Sequence, residues 1–544
     1  MNSITLFSGG NSEATTTPRS AQRLQLHMHN DRQNINKLPT ELLCNIFTIG
    51  EEAARSSRPR KSYYIGFQEV VTQVCHQWRE VAIRCPTLWT YIHITRPSTY
   101  RLVSLYLDRA GPIHHLDIDL EMRKRFWKLV AIEARDWEAQ LEKIPYLLKF
   151  LVSRGATVDR WRSLTVCAKQ PEVLYAIIGF INAQPARALR FLSCRWKVRG
   201  YNSDIEELRS LDYPHLFSES YSFSAATMPK LRHVEFEAIP WGYVFNRASP
   251  IFTGLTTLAL TSSYAPCSLN NLYKLLISNP NLEDLSLSVS KRAAHEFENE
   301  IEPDPEAFHV CLPQLRSLSF ATSSFTMWVL RAIERIQAPA LERLSISGCF
   351  KSSRESERLA NHFRMGLRLE ASAEAPSSVA DLRAKSIHPA LDELDISKLA
   401  MAHARGPLVD ILSSLATITK LSVSGDHIRQ MRKVPHVLPN LSHVYCSRVS
   451  YRQVGDMLRR RVNAGLPIGV VYLDQSDFQE AIGLHLPENV KYVRYHRDSM
   501  PRPDYDDSDP DSGDDRGRGE DILEGIEDNE SIMDADSSES EFSS

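Results

Sequence analysis

The sequence contains no long apolar run. No eighteen consecutive residues are apolar, so no segment has the length and composition of a membrane-spanning helix. The N-terminal segment MNSITLFSGGNSEATTTPRS also lacks the charged stretch followed by an apolar stretch that characterises a secretory signal. We therefore expect an intracellular protein, cytoplasmic or nuclear, with no membrane partner.

The sequence also lacks the patterns of a redox, metal or catalytic protein. The nine cysteines are scattered without any C-x-x-C pair, which argues against a disulfide framework and against a cysteine-built zinc site. There is no G-x-S-x-G motif, no glycine-rich phosphate loop and no pair of carboxylates at a catalytic spacing. We therefore expect a protein that is not an enzyme and needs no cofactor.

Charge is distributed unevenly along the chain. Residues 498–544 hold eighteen Asp and Glu against three Arg, a net charge of −15, whereas the whole chain carries −3. This segment has too few apolar groups to offset the entropy lost on ordering, so the sequence predicts a disordered acidic tail. Such a tail keeps the protein soluble, or else it folds back on the basic body of the chain or recruits a basic partner. Residues 1–33 are polar and rich in Ser and Thr, and they predict a disordered arm.

Two helical patterns follow the arm. The segment INKLPTELLCNIFTI has a proline in its first turn and one apolar stripe, and it predicts a helix that ends near Gly50. Residues 51–62 are polar and predict a loop. A second helical pattern runs from about Gly66 to Cys85, where the following proline stops it. Residues 88–94 are largely apolar and either pack on these helices or open a strand.

These two segments resemble the F-box. LPTELLCNIF and VTQVCHQWREVAIRCPTLW match its Leu-Pro-x-Glu start, its Val-Cys-x-x-Trp-Arg core and its closing Pro-x-Leu-Trp, as in many F-box-like proteins of fungi. The resemblance covers about residues 34–95, and it departs from the family in the longer polar link at 51–62. It implies an apolar interface with the Skp-type adaptor subunit of a cullin–RING ubiquitin ligase, in which Phe47 and Trp78 are the natural hot spots. The implied adaptor-binding residues, some of which must instead form the core of the helices, are Leu38, Pro39, Leu42, Ile46, Phe47, Val74, Cys75, Trp78 and Val81.

A short block recurs in the rest of the chain. Eight copies, from PKLRHVEF at 229 to PNLSHVYC at 439, have apolar residues at the positions of Leu231, Val234 and Phe236 in the first copy. Neighbouring copies are 23 to 33 residues apart, except for one gap of 50 that contains a polar insertion, RESERLANHF through DLRAKS. Weaker copies occur at 113, 161, 189, 468 and 490.

Each block predicts a short strand, and the intervals between blocks predict helices. The alternation of inward and outward positions is that of a strand, while SLNNLYKLLIS at 268 is typical of a helix. A strand–helix unit cannot bury its apolar face alone, so neighbouring units stack into a curved solenoid with a parallel sheet on its concave side. The pattern resembles irregular leucine-rich repeats that lack the regular Asn of the typical motif. We expect an α/β fold, with a helical F-box followed by a solenoid over residues 96–497 that is clearest at 229–446.

The outward positions of the predicted strands form the expected target-binding surface. They are polar, mixed in charge and without an aromatic cluster. A solvated strand face explains each of them singly, but a rigid sheet displays them as a set. The residues are His233, Glu235, Asp284, Ser317, Arg343, Glu393, Asp395 and Lys420.

Metal and nucleic-acid sites have little support in the sequence. On a strand His115, Asp117 and Asp119 would share one face, as a metal site requires, but the same letters fit the alternation of a repeat strand. We therefore expect no metal. The basic cluster 459–461 lies at the end of a predicted helix, where positive charge is favoured anyway, and it does not by itself support nucleic-acid binding.

The sequence favours a non-catalytic adaptor that docks on a ubiquitin ligase through residues 34–95 and binds an unknown target protein through its repeats. The alternative is a repeat scaffold whose N-terminal helices serve only as a cap. A third hypothesis is a hydrolase whose catalytic residues are His115, Asp117 and Asp119 on one face of a strand. An apolar stripe left exposed on residues 38–47 would favour the first reading over the second, because a cap buries that stripe.

Overall fold

The structure is a computed structural model, and it describes thirteen ranges of the chain. The chain divides into two units, Met1–Tyr495 and His496–Ser544, and every described residue belongs to the first. The predicted arm, apart from Gln33, and the predicted acidic tail lie outside the described residues. The described ranges are 33–56, 66–95, 100–122, 137–168, 171–196, 227–239, 252–262, 268–289, 309–350, 352–368, 388–400, 405–474 and 490–495.

Every predicted block contains a strand, and four further strands of the described residues lie outside the blocks. The weak copies at 113, 161, 189, 468 and 490 also contain strands, so the repeat pattern extends beyond the eight clear copies. The strands are β1 (Tyr91–Ile94), β2 (Leu116–Met122), β3 (Trp161–Ala168), β4 (Phe191–Trp196), β5 (His233–Glu237), β6 (Thr257–Ser262), β7 (Asp284–Val289), β8 (Val310–Cys311), β9 (Ser317–Thr322), β10 (Ile336–Gln337), β11 (Arg343–Cys349), β12 (Glu393–Asp395), β13 (Leu399–Ala400), β14 (Lys420–Ser424), β15 (His443–Ser447), β16 (Val470–Asp474) and β17 (Lys491–Tyr495).

Fifteen of these strands form one parallel sheet. Its order is β1-β2-β3-β4-β5-β6-β7-β9-β11-β12-β14-β15-β16-β17, and β13 pairs with β11. Apart from β8, β10 and β13, each strand therefore lies beside the strand that follows it in the chain. Strands β8 and β10 form a separate parallel pair. Parallel neighbours need a crossover connection, so the segment between two neighbouring strands brings the chain back to the end of the sheet where both strands begin.

The helices occupy many of these connections. Their apolar faces meet the inward side chains of the strands in one continuous core. None of the helices within the described ranges combines the length and the apolar composition needed to cross a membrane. The helices are α1 (Thr40–Ser56), α2 (Phe67–Val74), α3 (His76–Ile83), α4 (Tyr100–Ala110), α5 (Trp137–Ser153), α6 (Pro171–Asn182), α7 (Leu269–Ile277), α8 (Met327–Arg335), α9 (Ser353–Arg368), α10 (Arg405–Ser414), α11 (Gly425–Met431) and α12 (Tyr451–Asn463).

The alternation predicted for the strands is confirmed. Leu231, Val234 and Phe236 in the first clear copy are all buried, and the corresponding apolar positions of the later copies are buried as well. Between them, His233 and Glu235 lie on the other face of β5, where side chains are more exposed. Since side chains of a strand point alternately to its two faces, one row of apolar residues at this period suffices to specify which face is buried.

The first helix is longer than predicted and the second is broken. Helix α1 continues past Gly50 to Ser56, because Glu51 and Arg55 form an i,i+4 ion pair at 3.4 Å among residues of high helix propensity. The pattern expected to form one helix up to Cys85 forms α2 and α3. They are separated by Cys75, whose backbone is extended, at φ −153° and ψ 174°.

Part of the predicted polar insertion is a packed helix. The residues RESERLANHF lie in α9, whose Leu359, Ala360 and Phe363 are buried in the common core. Arg358 of this helix donates two hydrogen bonds of 2.6 Å to Glu334 of α8. The apolar stripe was hidden in the sequence because only these few apolar residues stand among charged ones. Residues 369–387, which complete the gap, lie outside the described residues.

Candidate functional site

One face of α1 carries large apolar side chains that remain exposed. Leu42, Ile46 and Ile49 recur at helical spacing and are 48%, 42% and 64% exposed. The opposite face of the same helix carries Leu43 and Phe47, which are fully buried. The helix thus carries two apolar stripes, and only one of them is buried in the common core.

Helix α2 has an exposed apolar face as well. Val70 and Val74 are one helical turn apart and about half exposed, whereas Val71 is buried. We refer to Leu42, Ile46, Ile49, Val70 and Val74 together as the exposed apolar residues of α1 and α2. Such residues are costly to leave in water and are typical of protein–protein contacts.

Phe47 of α1 packs against Trp78 of α3. Their rings are 5.0 Å apart at 54°, and the indole Nε1 of Trp78 donates a hydrogen bond of 2.7 Å to Oδ1 of Asn36. The thiol of Cys75 accepts the backbone N–H of Trp78 at 3.4 Å and so caps α3. These contacts join α3 to α1 and to the residues before α1, so Phe47, Cys75 and Trp78 stabilise the helices whatever else they contact.

The nine residues implied by the F-box resemblance therefore fall into three groups according to their exposure. Those with exposed side chains are Pro39, Leu42, Ile46 and Val74, while Leu38, Cys75 and Trp78 are half-buried, and Phe47 and Val81 are buried. Sequence reasoning did not distinguish exposed residues from residues in the core of the helices. It also missed Ile49 and Val70, which the helical period from Ile46 and Val74 would have indicated.

The outward face of the sheet brings the predicted target-binding residues into two rows. Neighbouring strands are in register, so equivalent block positions lie side by side across the sheet. Glu235 and Asp395 lie in the second row. The first row contains His233, Asp284, Ser317, Arg343, Glu393 and Lys420.

Charges within these rows are partly paired. Arg343 lies 3.6 Å from Asp284 across the intervening strand, and Lys420 lies 3.1 Å from Asp392. Exposed pairs of this kind contribute little to stability. They leave the face polar and of mixed sign, as expected from the sequence.

The last strands of the sheet carry an aromatic cluster that was not predicted. Tyr445 of β15 and Tyr472 of β16 are register partners whose rings stack at 4.2 Å and 7°, and His443 stacks on Tyr472 at 6.3 Å. Burial, followed by the neighbouring Tyr472, raises the pKa of Tyr445 to about 12, so its hydroxyl is protonated at neutral pH. The signal was Tyr445 in the block at 439 and Tyr472 in the weak copy at 468, each between two inward apolar residues.

Asp117 is an ion-pair centre. Its carboxylate accepts hydrogen bonds from Arg55 of α1 at 2.9 Å, from Arg162 at 3.0 and 2.5 Å, and from Ser163 at 2.9 Å. Burial acts to raise the pKa of Asp117, but the hydrogen bonds from Arg162, Arg55 and Ser163 outweigh it and hold the pKa below its usual value. His115 precedes β2 and is exposed.

The carboxylate of Asp119 also contacts neighbouring side chains. Its Oδ2 accepts a hydrogen bond of 2.5 Å from the Tyr91 hydroxyl and lies 3.0 Å from Nδ1 of His93. His115, Asp117 and Asp119 thus do not converge on one point. In the part of the chain that the structure describes, no group of three His, Cys, Asp or Glu side chains is arranged to hold a metal ion.

Comparison with known proteins does not assign the chain to a family. No model of a known protein family matches the sequence, and no curated protein matches it either.

Proposed function

We propose that this protein is the target-recognition adaptor of a cullin–RING ubiquitin ligase. Its N-terminal helices are an F-box that docks on the Skp-type adaptor subunit, and its parallel sheet is the inner face of a leucine-rich-repeat solenoid that binds a target protein. The chain performs no bond chemistry itself. It raises the effective concentration of the target at the subunits that transfer ubiquitin.

The exposed apolar residues of α1 carry this proposal. A helix that only capped the sheet would bury Leu42, Ile46 and Ile49, and it buries Leu43 and Phe47 instead. Covering half-exposed Leu and Ile side chains in an interface contributes about 1 kcal/mol each. The sequence resemblance supplies the identity of the partner, and the exposure supplies a surface for it.

The register of the sheet supports target binding on the outward face. Side chains on neighbouring strands are held about 4.8 Å apart, so a partner meets a rigid row of polar groups rather than flexible loops. The aromatic cluster of His443, Tyr445 and Tyr472 adds the residue types that dominate protein interfaces.

A pull-down with purified Skp-type adaptor tests the docking proposal. We expect the wild-type chain to bind and the double variant Leu42→Gln, Ile46→Gln to bind roughly thirty-fold more weakly, because it loses about 2 kcal/mol of apolar burial. Both positions are solvent-exposed and glutamine favours helices, so the variant should fold. Phe47→Ala is unsuitable, because it would leave a cavity in the core.

The matched control is Leu102→Gln, Leu105→Gln on α4, where the side chains are 37% and 40% exposed. This variant should bind the adaptor as the wild type does. A wild-type chain that is folded but does not bind the adaptor would refute the docking proposal, and would leave a repeat scaffold whose N-terminal helices close the end of the sheet.

A further inference from the structure

The helices that follow β14 and β15 present a basic surface on the opposite side of the sheet from the aromatic cluster. Their buried residues, such as Ile428 and Leu458, pack in the core against the inward side chains of the strands. Asp426 and Asp456 are the acidic residues in this part of the sequence. Six cationic side chains on these two helices and directly after the first of them are not buried, and we call these six the basic surface: Arg429, Arg432, Lys433, Arg452, Arg459 and Arg460.

Contacts between α11 and α12 bring these cations together. Asp456 of α12 lies 2.7 Å from Nη2 of Arg459 and 3.6 Å from Nη1 of Arg432, the residue after α11. The guanidinium of Arg460 donates a hydrogen bond of 3.3 Å to the backbone carbonyl of Arg432. Two arginines therefore contact one carboxylate, Arg460 lies beside them through the Arg432 carbonyl, and Lys433 follows Arg432 in the chain.

The remaining cations extend the basic surface along both helices. Arg452 lies one turn before Asp456 on α12, and Arg429 lies one turn before Lys433. From Arg452 to Arg460 the helix rises about 12 Å, which matches roughly four residues of an extended peptide. The two carboxylates leave a net charge of four positive units.

The chemistry of the contacts favours carboxylates as the ligand. Arg432 and Arg459 already hold a carboxylate, so their guanidinium groups are oriented for this group before any partner arrives. Duplex nucleic acid carries a charge about every 1.7 Å of its axis, which favours a broader basic surface.

We propose that the basic surface of α11 and α12 binds a short acidic segment of a partner protein, rich in Asp and Glu. This site is separate from both surfaces of the proposed ligase adaptor, because it lies on the helical side of the sheet and far along the chain from α1. It gives the protein a second binding site whose affinity depends on salt.

Fluorescence anisotropy with the full chain tests this proposal. The probes are a labelled short peptide of alternating Glu and Ser, the same peptide with Gln in place of Glu, and a labelled DNA duplex. We expect the Glu peptide to bind and the Gln peptide not to bind. Raising the salt from about 50 to about 200 mM should weaken binding several-fold.

Two variants separate loss of the site from loss of the fold. Arg432→Gln, Arg459→Gln, Arg460→Gln should bind the Glu peptide about ten-fold more weakly. Asp456→Asn should bind it about three-fold more tightly, a gain that unfolding cannot produce. The matched control, Arg101→Gln, Arg154→Gln, Arg354→Gln, removes the same charge from exposed positions elsewhere and should bind nearly as the wild type does.

The proposal is overturned if the triple variant and the control bind the Glu peptide equally. It is also overturned if the duplex binds more tightly than the peptide and the triple variant loses that binding, since the surface would then be one for nucleic acid. A failure to bind the Skp-type adaptor would leave these results unaffected, so the two proposals fail independently.

Discussion

Arg461 shows how one side chain can differ from its neighbours in sequence. It follows Arg459 and Arg460, which are exposed, yet it is fully buried. Its guanidinium donates hydrogen bonds to the backbone carbonyls of Pro435 at 2.9 Å, Val437 at 2.6 Å and Leu438 at 2.9 Å. Burial lowers its pKa to about 10, so it remains charged at neutral pH and holds the segment between α11 and β15.

We expect Arg461→Met to lower the free energy of unfolding by about 2–4 kcal/mol, because three carbonyl oxygens lose their donor. Arg459→Met on the same helix is the matched control and should change it by less than about 0.5 kcal/mol. Guanidinium unfolding followed by circular dichroism measures both. Equal midpoints for the two variants would show that these hydrogen bonds contribute nothing to stability.

Helix α11 depends on a histidine at its start. Nδ1 of His427 accepts the backbone N–H of Ser424 at 3.1 Å and lies 2.8 Å from the Ser424 hydroxyl, which completes a capping box. Only the neutral ring has an acceptor at Nδ1. Burial lowers the pKa of His427 to about 4, although Asp426, a hydrogen bond to the Leu399 backbone and Asp395 act in the opposite direction.

The cap should make stability depend on pH. Below the unfolded pKa of about 6.5 the unfolded chain binds a proton that the folded chain does not bind until about pH 4, so stability falls between these values as the pH falls. Between pH 7 and 5 we expect a loss of about 2 kcal/mol from this residue.

His427→Gln supplies the test, because glutamine keeps the capping box and does not titrate. Its unfolding midpoint should fall less than that of the wild type when the pH is lowered from about 7 to about 5. Parallel pH dependence in both proteins would mean that His427 does not titrate with unfolding.

At the scale of the whole molecule, Asp117 connects the N-terminal helices to the sheet. It binds Arg55 near the end of α1 and Arg162 of β3, residues 62 and 45 positions away. Arg55 also lies 4.9 Å from the ring centre of Tyr91 on β1. This buried carboxylate therefore links the end of α1, the helix that carries the exposed apolar residues, to the sheet.

We expect Asp117→Asn to lower the free energy of unfolding by about 3 kcal/mol, since two arginines lose a charged partner in a buried position. Amide exchange at the end of α1, over residues 51–55, should become faster. Thermal unfolding and hydrogen exchange measure these effects, with exposed Asp108→Asn on α4 as the control. Unchanged exchange in α1 would show that apolar contacts alone fix the helix.

The outline of the fold was predictable because its signals are local. A strand with one buried face must place apolar residues at every second position, so Leu231, Val234 and Phe236 and their counterparts identified both the strands and their inward face. Helices such as α7 and α12 were predictable for the same reason at their own period. The outward rows followed from this alternation without any further information.

Tertiary contacts decided what the local pattern left open. The break at Cys75 lies inside an apolar pattern that continues across it, and no Gly or Pro marks it. Whether Arg461 or Arg459 is buried depends on the carbonyls of a distant segment, and Asp117 became an ion-pair centre only because register brings Arg162 to it. Residue spacing fixes which face of an element is apolar, but the partner of a polar side chain depends on groups that only folding brings near.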